Sequence, residues 1–244
     1  MKTDNYITLL SKILTARKAV NQHLLFDRTN KREVYLTLLN IRIVNLVESI
    51  LCLYNANLFS TIAILFRSVI EANLDFENLI VDDNYINDLD YRYLHEWERL
   101  FDSSQKGNPF LNGLVSNKDT LEMVDFITKE YSLLKNNGYK ALTIKERFDK
   151  LNQSSVYLSI YNSSCCESHN NLRALINWNT LINKDKSFSI NSYSENKNGL
   201  MPFLDSTTAI FINSTIIMMN YFKVEVSGEI SLLSQELDII RNSA

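Results

Sequence analysis

The chain has 244 residues, of which 45% are hydrophobic and 22% are charged, and its formal net charge is −3. These values are typical of a soluble globular protein, and the slight negative charge argues against a broad surface that follows nucleic-acid phosphates without excluding a local basic pocket. Only five glycines and two prolines occur, too few for the many turns of an all-β domain, so the composition favours long helices.

Apolar side chains recur at helical spacing along most of the chain. The stretches with this pattern are 3–26, 33–54, 57–80, 88–104, 117–134, 145–151, 154–166 with a continuation to 178, 202–226 and the tail after Gly228. From 183 to 201 the pattern gives way to serine, asparagine and lysine, which predicts an exposed mobile loop. The sequence therefore predicts an all-α fold, a single-domain antiparallel bundle of about seven to nine helices over residues 1–244, with its core at 34–182 and 202–226.

Local signals place several helix ends. Asn55-Ala56-Asn57 reads as a tight turn between two helices, and Asn136-Asn137-Gly138 suits a helix C-terminus that needs a left-handed residue. Thr143-x-x-Glu146 matches a capping box, in which the two side chains satisfy free backbone N–H groups at a helix start. Pro202 stands where a proline is tolerated, in the first turn of the last long helix.

Three cysteines bear on the compartment and on metal binding. Cys52 and the adjacent pair Cys165 and Cys166 form an odd set without metal-ligand spacing, and neighbouring cysteines are poorly suited to disulfide geometry. The N-terminus lacks the apolar core of a signal peptide, and the apolar run at 209–219 is too short to span a bilayer. We therefore expect a cytoplasmic protein without a membrane segment, a metal site or a cofactor.

The helix at 57–80 carries a charged pair inside an otherwise apolar segment. Arg67 and Glu71 are four residues apart, which separates them by about 40° of rotation and about 6 Å of rise and lets their side chains meet. A buried charge costs several kcal/mol unless it is paired and hydrogen-bonded. The pair is therefore either a buried structural ion pair or an anion site, in which Glu71 orients a guanidinium that binds phosphate.

A second polar group lies in the segment 157–175. Tyr161 and His169 are eight residues apart, so on a continuous helix they differ by roughly 80° and about 12 Å. They are expected to line one side of a cleft without touching. A lone histidine is more often a capping group or a supporting group than a catalyst, and the polar neighbours of His169, which include Asn171, narrow the difference between these two interpretations.

A further histidine spacing deserves less weight. Arg17-x5-His23 matches an Arg-x4–6-His spacing used by one group of helical ribonucleases, but Lys18 occupies the position where a polar residue should follow the arginine. Six residues also turn the two side chains about 120° apart on a straight helix. We set this pair aside. The sequence contains no Gly-rich phosphate loop, HExxH or Gly-x-Ser-x-Gly motif.

Two segments together resemble a known family. LFRSVIEANL, with a later Tyr-x7-His followed by Leu-x-x-Leu, resembles a bacterial all-α family of unknown function that is similar to HEPN proteins, helical domains common in toxin and antiphage systems. The resemblance covers about residues 34–182. The polar positions of the family fall on Arg67, Ser68, Glu71, Tyr161 and His169. The chain departs from the pattern at four positions: Ser164 and Cys165 replace Leu-Ser, and Glu167 and Ser168 replace apolar residues.

The resemblance implies metal-independent cleavage of RNA, or action on a nucleotide, by an antiphage effector. His169 would then move protons and Arg67 would stabilise charge on the phosphate, with Glu71 as the third catalytic residue. Tyr161, Ser68 and Asn171 would bind substrate. A homodimer and a partner protein encoded in the same operon are further expectations. The alternative is a non-enzymatic helical sensor or interaction module with a structural Arg67–Glu71 pair, so the sequence leaves open whether the protein is an enzyme.

Overall fold

The computed structural model describes residues 2–114, 118–169, 171–183, 185, 187–190, 197–224 and 228–243. Within these residues the chain forms eleven α-helices and one two-stranded antiparallel sheet, which confirms the predicted all-α class. The helices are α1 (Lys2–Gln22), α2 (Lys31–Asn55), α3 (Phe59–Val81), α4 (Tyr85–Gln105), α5 (Lys118–Asn136), α6 (Ile144–Lys150), α7 (Ser154–Val156), α8 (Asn162–Ser168), α9 (Leu172–Asn179), α10 (Met201–Tyr221) and α11 (Gly228–Asn242). The strands are β1 (Thr180–Ile182) and β2 (Phe188–Ile190).

The number of helices exceeds the predicted seven to nine because one predicted helix is divided. The segment 154–178 consists of α7, a π-helical turn at Tyr157–Tyr161, α8 and α9. The division before α9 has a local cause: Asn171 adopts an extended backbone, and its side chain accepts a hydrogen bond from the N–H of Arg173. Asparagine is among the preferred N-cap residues, so it begins a new helix here instead of continuing the old one.

The predicted helix ends are confirmed where capping chemistry defines them. The backbone N–H of Glu146 donates to Thr143 Oγ1 at 3.3 Å, and the N–H of Thr143 donates to Glu146 Oε2 at 2.7 Å, which completes the capping box. Asn57, with φ of 58°, forms the turn between α2 and α3. Gly138 follows α5 with φ of 78°, the left-handed conformation that glycine adopts without steric cost.

The predicted mobile loop at 183–201 is partly structured. Residues 188–190 form β2, which pairs with β1 in the register Thr180↔Ile190 and Ile182↔Phe188. The β-branched side chains of this hairpin favour strands. The strands were not predicted because the stretch as a whole has a polar composition typical of a loop. A 3-10 turn at Lys197–Leu200 leads into α10. Residues 191–196, the middle of the predicted loop, lie outside the described part of the chain.

The chain divides into two compact units. One comprises residues 1–77 and 151–244, and the other comprises residues 78–150; that they fold together as the single predicted domain stays a prediction. In the first unit α1 packs against α2, α10 and α11, and α3 contributes a fully buried stripe. Its most buried side chains in this unit are Ile62, Ala63, Phe66, Val69 and Phe76. In the second unit α4 and α5 pack around Leu94, Phe101, Ile127 and Tyr131.

Among the described helices, α2 is the one long and apolar enough to cross a membrane by length and composition. Its apolar stripe is buried inside the protein at residues such as Ile43, Val47 and Ile50. A core helix of a globular protein has the same length and composition, so this property alone assigns no membrane location.

The core of the first unit holds an unexpected charge. Arg17, on α1, is fully buried, and its guanidinium donates to Asn40 Oδ1 and to the carbonyl oxygen of Ser214. Burial lowers the pKa of Arg17 to about 9. His23 is exposed just beyond the end of α1, so the Arg17-x5-His23 spacing joins a core side chain to a surface one and does not form a shared site.

Candidate functional site

The site is built on one face of α3. Arg67 and Glu71 lie one helical turn apart, and Arg67 Nε donates to Glu71 Oε1 at 2.9 Å. The two side chains are 23% and 39% exposed. The pair is therefore only partly buried: it sits at the edge of the apolar stripe of α3, where water reaches both charges. A structural role and an anion site are both compatible with this position.

Three groups from the segment around α8 complete the site. Arg67 Nη1 donates to Ser168 Oγ at 2.8 Å and lies 2.7 Å from His169 Nε2. Arg67 Nη2 donates to Tyr161 Oη at 3.2 Å, and this hydroxyl donates in turn to Glu71 Oε1 at 2.8 Å. We call Arg67, Glu71, Tyr161, Ser168 and His169 the Arg67 cluster. It joins residues about a hundred positions apart in sequence around one guanidinium.

α8 ends at Ser168, and both Ser168 and the next residue, His169, contact Arg67. On a continuous helix Tyr161 and His169 would be separated by roughly 80° and about 12 Å. The chain instead leaves α-helical geometry at His169, with φ of −111° and ψ of 24°, before Asn171 begins α9. Tyr161 and His169 both contact Arg67, which is the residue that connects them.

The guanidinium of Arg67 is nearly saturated by these contacts. Arginine carries five N–H donors, and four of them are used by Glu71, Ser168, His169 and Tyr161. The second N–H of Nη2 has no acceptor among the described residues. One donor is therefore available to a ligand in this arrangement, and a stronger anionic acceptor could compete for the others.

Burial and the neighbouring charges set the protonation states of Arg67 and Tyr161. Burial alone would lower the pKa of Arg67, but the hydrogen bond that Arg67 donates to Glu71 and the negative charge of Glu71 outweigh this effect and raise it. Burial, together with the hydrogen bond to Glu71 and its charge, raises the pKa of Tyr161 well above its ordinary value. At neutral pH Arg67 is thus a cation, and Tyr161 is a neutral hydroxyl that cannot serve as a base.

The contact with Arg67 also fixes the tautomer of His169. A guanidinium has donors and no acceptor, so Nε2 of the imidazole must accept, and the ring proton resides on Nδ1. His169 is exposed, and Nδ1 has no hydrogen-bond partner within the described ranges. The site therefore offers two donors without a partner among the described residues, the second N–H of Arg67 Nη2 and the Nδ1–H of His169, on a surface open to solvent.

Two of the residues predicted to bind substrate are placed outside this network. Ser68 follows Arg67 on α3 and is half-buried, and its hydroxyl is not part of the contacts that surround Arg67. The side chain of Asn171 caps α9. The structure adds Ser168 to the site, a residue that was not predicted from the sequence to bind substrate or to take part in catalysis. Its signal was present in the sequence, since a serine stands there in place of the apolar residue of the resembled pattern.

Metal-binding side chains are not grouped anywhere in the described part of the chain. Within it, no three histidine, cysteine, aspartate or glutamate side chains are positioned to hold a metal ion together. The three cysteines are free thiols. The chemistry open to the Arg67 cluster is that of a guanidinium, an imidazole and hydroxyls: binding of an anion and transfer of a proton beside it.

Comparison with known proteins gives one match. The model of a family described as a family of unknown function (DUF5677) matches residues 33–188, a span that includes the whole Arg67 cluster. No curated protein and no solved structure matches the chain.

Proposed function

The chain belongs to the DUF5677 family of unknown function, and we propose that it is a HEPN-like cytoplasmic effector that cleaves RNA at the Arg67 cluster without a metal ion. The observation that carries this proposal is the 2.7 Å contact between Arg67 Nη1 and His169 Nε2 on a solvent-reached surface. This contact places a cation suited to phosphate next to an imidazole that can exchange protons. Cleavage of a phosphate ester uses both groups, one to stabilise charge and one to move the proton.

The proposed reaction begins with the phosphate of the substrate. The phosphate oxygens accept hydrogen bonds from the N–H groups of Arg67 that face His169 and solvent in the free protein. They displace His169 because a charged acceptor forms a stronger hydrogen bond than a neutral imidazole. This exchange releases the lone pair of His169 Nε2. The imidazole is then free to accept a proton.

The chemical step follows from that release. His169 Nε2 accepts the proton of the ribose 2′-hydroxyl, whose oxygen attacks phosphorus while the bond from phosphorus to the 5′-oxygen breaks. The imidazolium returns the proton to the departing 5′-oxygen. The products are a 2′,3′-cyclic phosphate and a 5′-hydroxyl, so one bond forms, one breaks and no net proton is consumed. Arg67 stabilises the negative charge that builds up on the phosphate oxygens.

Glu71 and Tyr161 position the arginine in this scheme. Glu71 Oε1 accepts from both Arg67 Nε and the hydroxyl of Tyr161, and Tyr161 accepts from Nη2. This closed ring of three hydrogen bonds fixes the plane of the guanidinium. A fixed fork of donors binds phosphate with a defined orientation, so loss of the ring would weaken catalysis more than it would weaken folding.

The test is cleavage of end-labelled RNA by the purified protein in the presence of EDTA. We expect cleavage with chelator present, and loss of at least about a hundredfold in rate for His169→Ala and Arg67→Ala, in line with removal of a general base or a charge-stabilising group. His23→Ala is the matched control, because His23 is an exposed histidine distant in sequence from the cluster. Failure to cleave, or cleavage abolished by EDTA, would overturn the proposal.

The second candidate is a non-enzymatic module in which the cluster holds α8 against α3. The observation that favours it is the near saturation of Arg67, four of whose five donors already bind side chains of the same chain. This role predicts that His169→Ala lowers the melting temperature and that no reaction is lost. Unchanged melting together with lost cleavage would reject it in favour of the ribonuclease.

A further inference from the structure

A cavity of about 340 Å³ opens beside the Arg67 cluster. Its apolar side is formed by Phe66 and Phe203, whose rings meet edge to face with centroids 5.4 Å apart. Phe66 is fully buried and Phe203 is half-buried. The volume falls at the lower end of the range for small-ligand sites, about 300–1,000 Å³, which suits one aromatic ring system with a short polar extension.

The other side of the cavity is polar. Ser163 and Glu167 come from α8, and Arg173 and Asn177 come from α9. Glu167 Oε2 accepts from the indole N–H of Trp178 at 2.6 Å. The side chains of Ser163, Arg173 and Asn177, and the second oxygen of Glu167, make no hydrogen bond to any described residue. The cavity therefore combines an aromatic wall with four side chains that have unused donors or acceptors.

Two residues that line the cavity are direct chain neighbours of residues in the Arg67 cluster. Phe66 directly precedes Arg67 on α3, and Glu167 directly precedes Ser168 at the end of α8. Consecutive Cα atoms are about 3.8 Å apart, and successive side chains of a helix diverge by about 100°. The cavity thus lies next to the cluster and faces a different direction, where a ligand held at Arg67 could extend a second group.

We propose that this cavity binds the base of a nucleotide whose phosphate lies at Arg67. The identity of the ligand rests on the proposed function, whereas the existence of a site for an aromatic, hydrogen-bonding ring rests on the cavity itself. The half-buried ring of Phe203, supported from behind by Phe66, provides the apolar and aromatic contact that bases use on proteins. Glu167 and Asn177 provide an acceptor and an amide for the polar edge of the base or for the ribose hydroxyls.

Adenosine is the probe that separates the cavity from the cluster, because it has a base and no phosphate. Isothermal titration calorimetry of the full chain should show saturable binding of adenosine with one site per chain, and ribose should bind at least tenfold more weakly. Phe203→Ala should weaken adenosine binding about five- to a hundredfold, the range for loss of a stacked aromatic partner. Phe110→Ala, which truncates an exposed phenylalanine of the other unit, should leave the affinity unchanged.

A second variant keeps the test independent of lost packing. Ser163→Leu adds an apolar side chain that fills the cavity, so it should abolish adenosine binding while the melting temperature stays within about 2 °C of the wild type. Absence of saturable adenosine binding, equal affinity for ribose, or wild-type affinity in both Phe203→Ala and Ser163→Leu would overturn the inference.

Further experiments show whether the bound base belongs to a free nucleotide or to RNA. They also separate failure of the cavity proposal from failure of the ribonuclease proposal. Adenosine monophosphate and a three-nucleotide oligoadenylate present the same base as a free nucleotide and as RNA, and the one that binds tighter identifies the source. Adenosine binding without RNA cleavage would support the cavity and reject the ribonuclease. RNA cleavage without adenosine binding would support the ribonuclease and reject the cavity as a base site.

Discussion

Arg67 and His169 are 102 residues apart in sequence, and Nη1 of the arginine lies 2.7 Å from Nε2 of the histidine. The arginine can only donate, so the imidazole accepts, and its proton is held on Nδ1. Free histidine places the proton on either nitrogen. The contact therefore imposes a protonation pattern that spectroscopy can detect without any knowledge of the substrate.

The first prediction concerns this tautomer. Long-range ¹H–¹⁵N spectra of the protein at pH 7.5 should show His169 with a protonated Nδ1 and an unprotonated Nε2. In Arg67→Ala, Nε2 of His169 no longer accepts a hydrogen bond from the arginine. The signals should then shift toward a mixture of two tautomers, one of which carries the proton on Nε2. His95, which stacks on Tyr91 and Tyr131 in the other unit, should give the same signals in both proteins. A wild-type His169 protonated on Nε2 would contradict the hydrogen bond.

The second prediction contrasts two ion pairs of the same spacing. Glu71 is 39% exposed and Asp88 is 5% exposed, and both pair with an arginine four residues away on the same helix. Glu71→Gln keeps an oxygen that can accept from Arg67 and Tyr161, so it should lower the free energy of unfolding by under about 1 kcal/mol. Asp88→Asn should cost about 3 kcal/mol, because it disrupts a buried and hydrogen-bonded charge.

The larger cost at Asp88 has a specific geometric cause. Its two oxygens accept separately from Arg92 Nε at 2.9 Å and from the backbone N–H of Leu142 at 2.6 Å. An asparagine must turn its NH₂ toward one of these two donors, which then loses its acceptor, while the amide oxygen accepts from the other. Urea unfolding at pH 7 measures both variants. A Glu71→Gln penalty equal to or larger than that of Asp88→Asn would contradict the difference in burial.

One contact of the site and several helix ends of the fold could be predicted from sequence because they depend on local geometry. The meeting of Arg67 and Glu71 follows from four-residue spacing, and the cap at Thr143 follows from a three-residue motif. The exposure of the pair could not be predicted in the same way. Apolar residues surround Arg67 in the sequence, but only the packing of α3 decides which edge of its stripe faces water.

Other features depended on chain direction or on neighbours remote in sequence. The position of His169 depends on the end of α8 and on the cap provided by Asn171, while the apolar pattern continues through this break to Trp178. The burial of Arg17 depends on Asn40 and Ser214, which come from two other helices. A polar partner on a distant helix leaves no periodic signal, so the burial of Arg17 could not be predicted from the residues around it.

The third prediction uses the pKa of Tyr161, which burial and the hydrogen bond to Glu71 raise above its ordinary value of 10.0. Above pH 10 the unfolded chain loses the phenol proton while the folded chain retains it, so rising pH favours unfolding. Tyr161→Phe removes this effect. The unfolding free energy of the wild type relative to Tyr161→Phe should be constant from pH 7 to 9 and should fall between pH 10 and 12, by at most about 1.4 kcal/mol per pH unit.

Chemical unfolding of both proteins across this range provides the measurement, since contributions of the other tyrosines cancel in the difference. The same difference tests the hydrogen bond to Glu71. Glu71→Ala removes both the acceptor and the charge, so in that background the fall above pH 10 should become smaller. Parallel curves for wild type and Tyr161→Phe from pH 7 to 12 would contradict the proposed state of the tyrosine.

The fourth prediction concerns the buried charge of Arg17, whose pKa burial lowers from 12.5 to about 9. Its acceptors are the neutral oxygens of Asn40 and Ser214, and no carboxylate of the described residues pairs with it. At pH 7 the folded protein therefore bears the cost of an unneutralised internal cation. Arg17→Met replaces the cation with an apolar chain of similar length, and its unfolding free energy should lie within about 1.5 kcal/mol of the wild type, because buried charges often contribute little net stability.

The pH dependence of this variant has the opposite sign to that of Tyr161→Phe. Between pH 9 and 12.5 the folded wild type has released the Arg17 proton and the unfolded chain still holds it, so unfolding takes up a proton and rising pH stabilises the fold. The unfolding free energy of the wild type relative to Arg17→Met should therefore increase from pH 9 to 11, by at most about 1.4 kcal/mol per pH unit.

Lys18→Met is the matched control at pH 7, since it removes the neighbouring cation from a half-exposed pair with Glu48 and should change stability by under about 1 kcal/mol. A loss above about 3 kcal/mol for Arg17→Met at pH 7, or a flat difference up to pH 11, would show that the guanidinium stabilises the core as a cation.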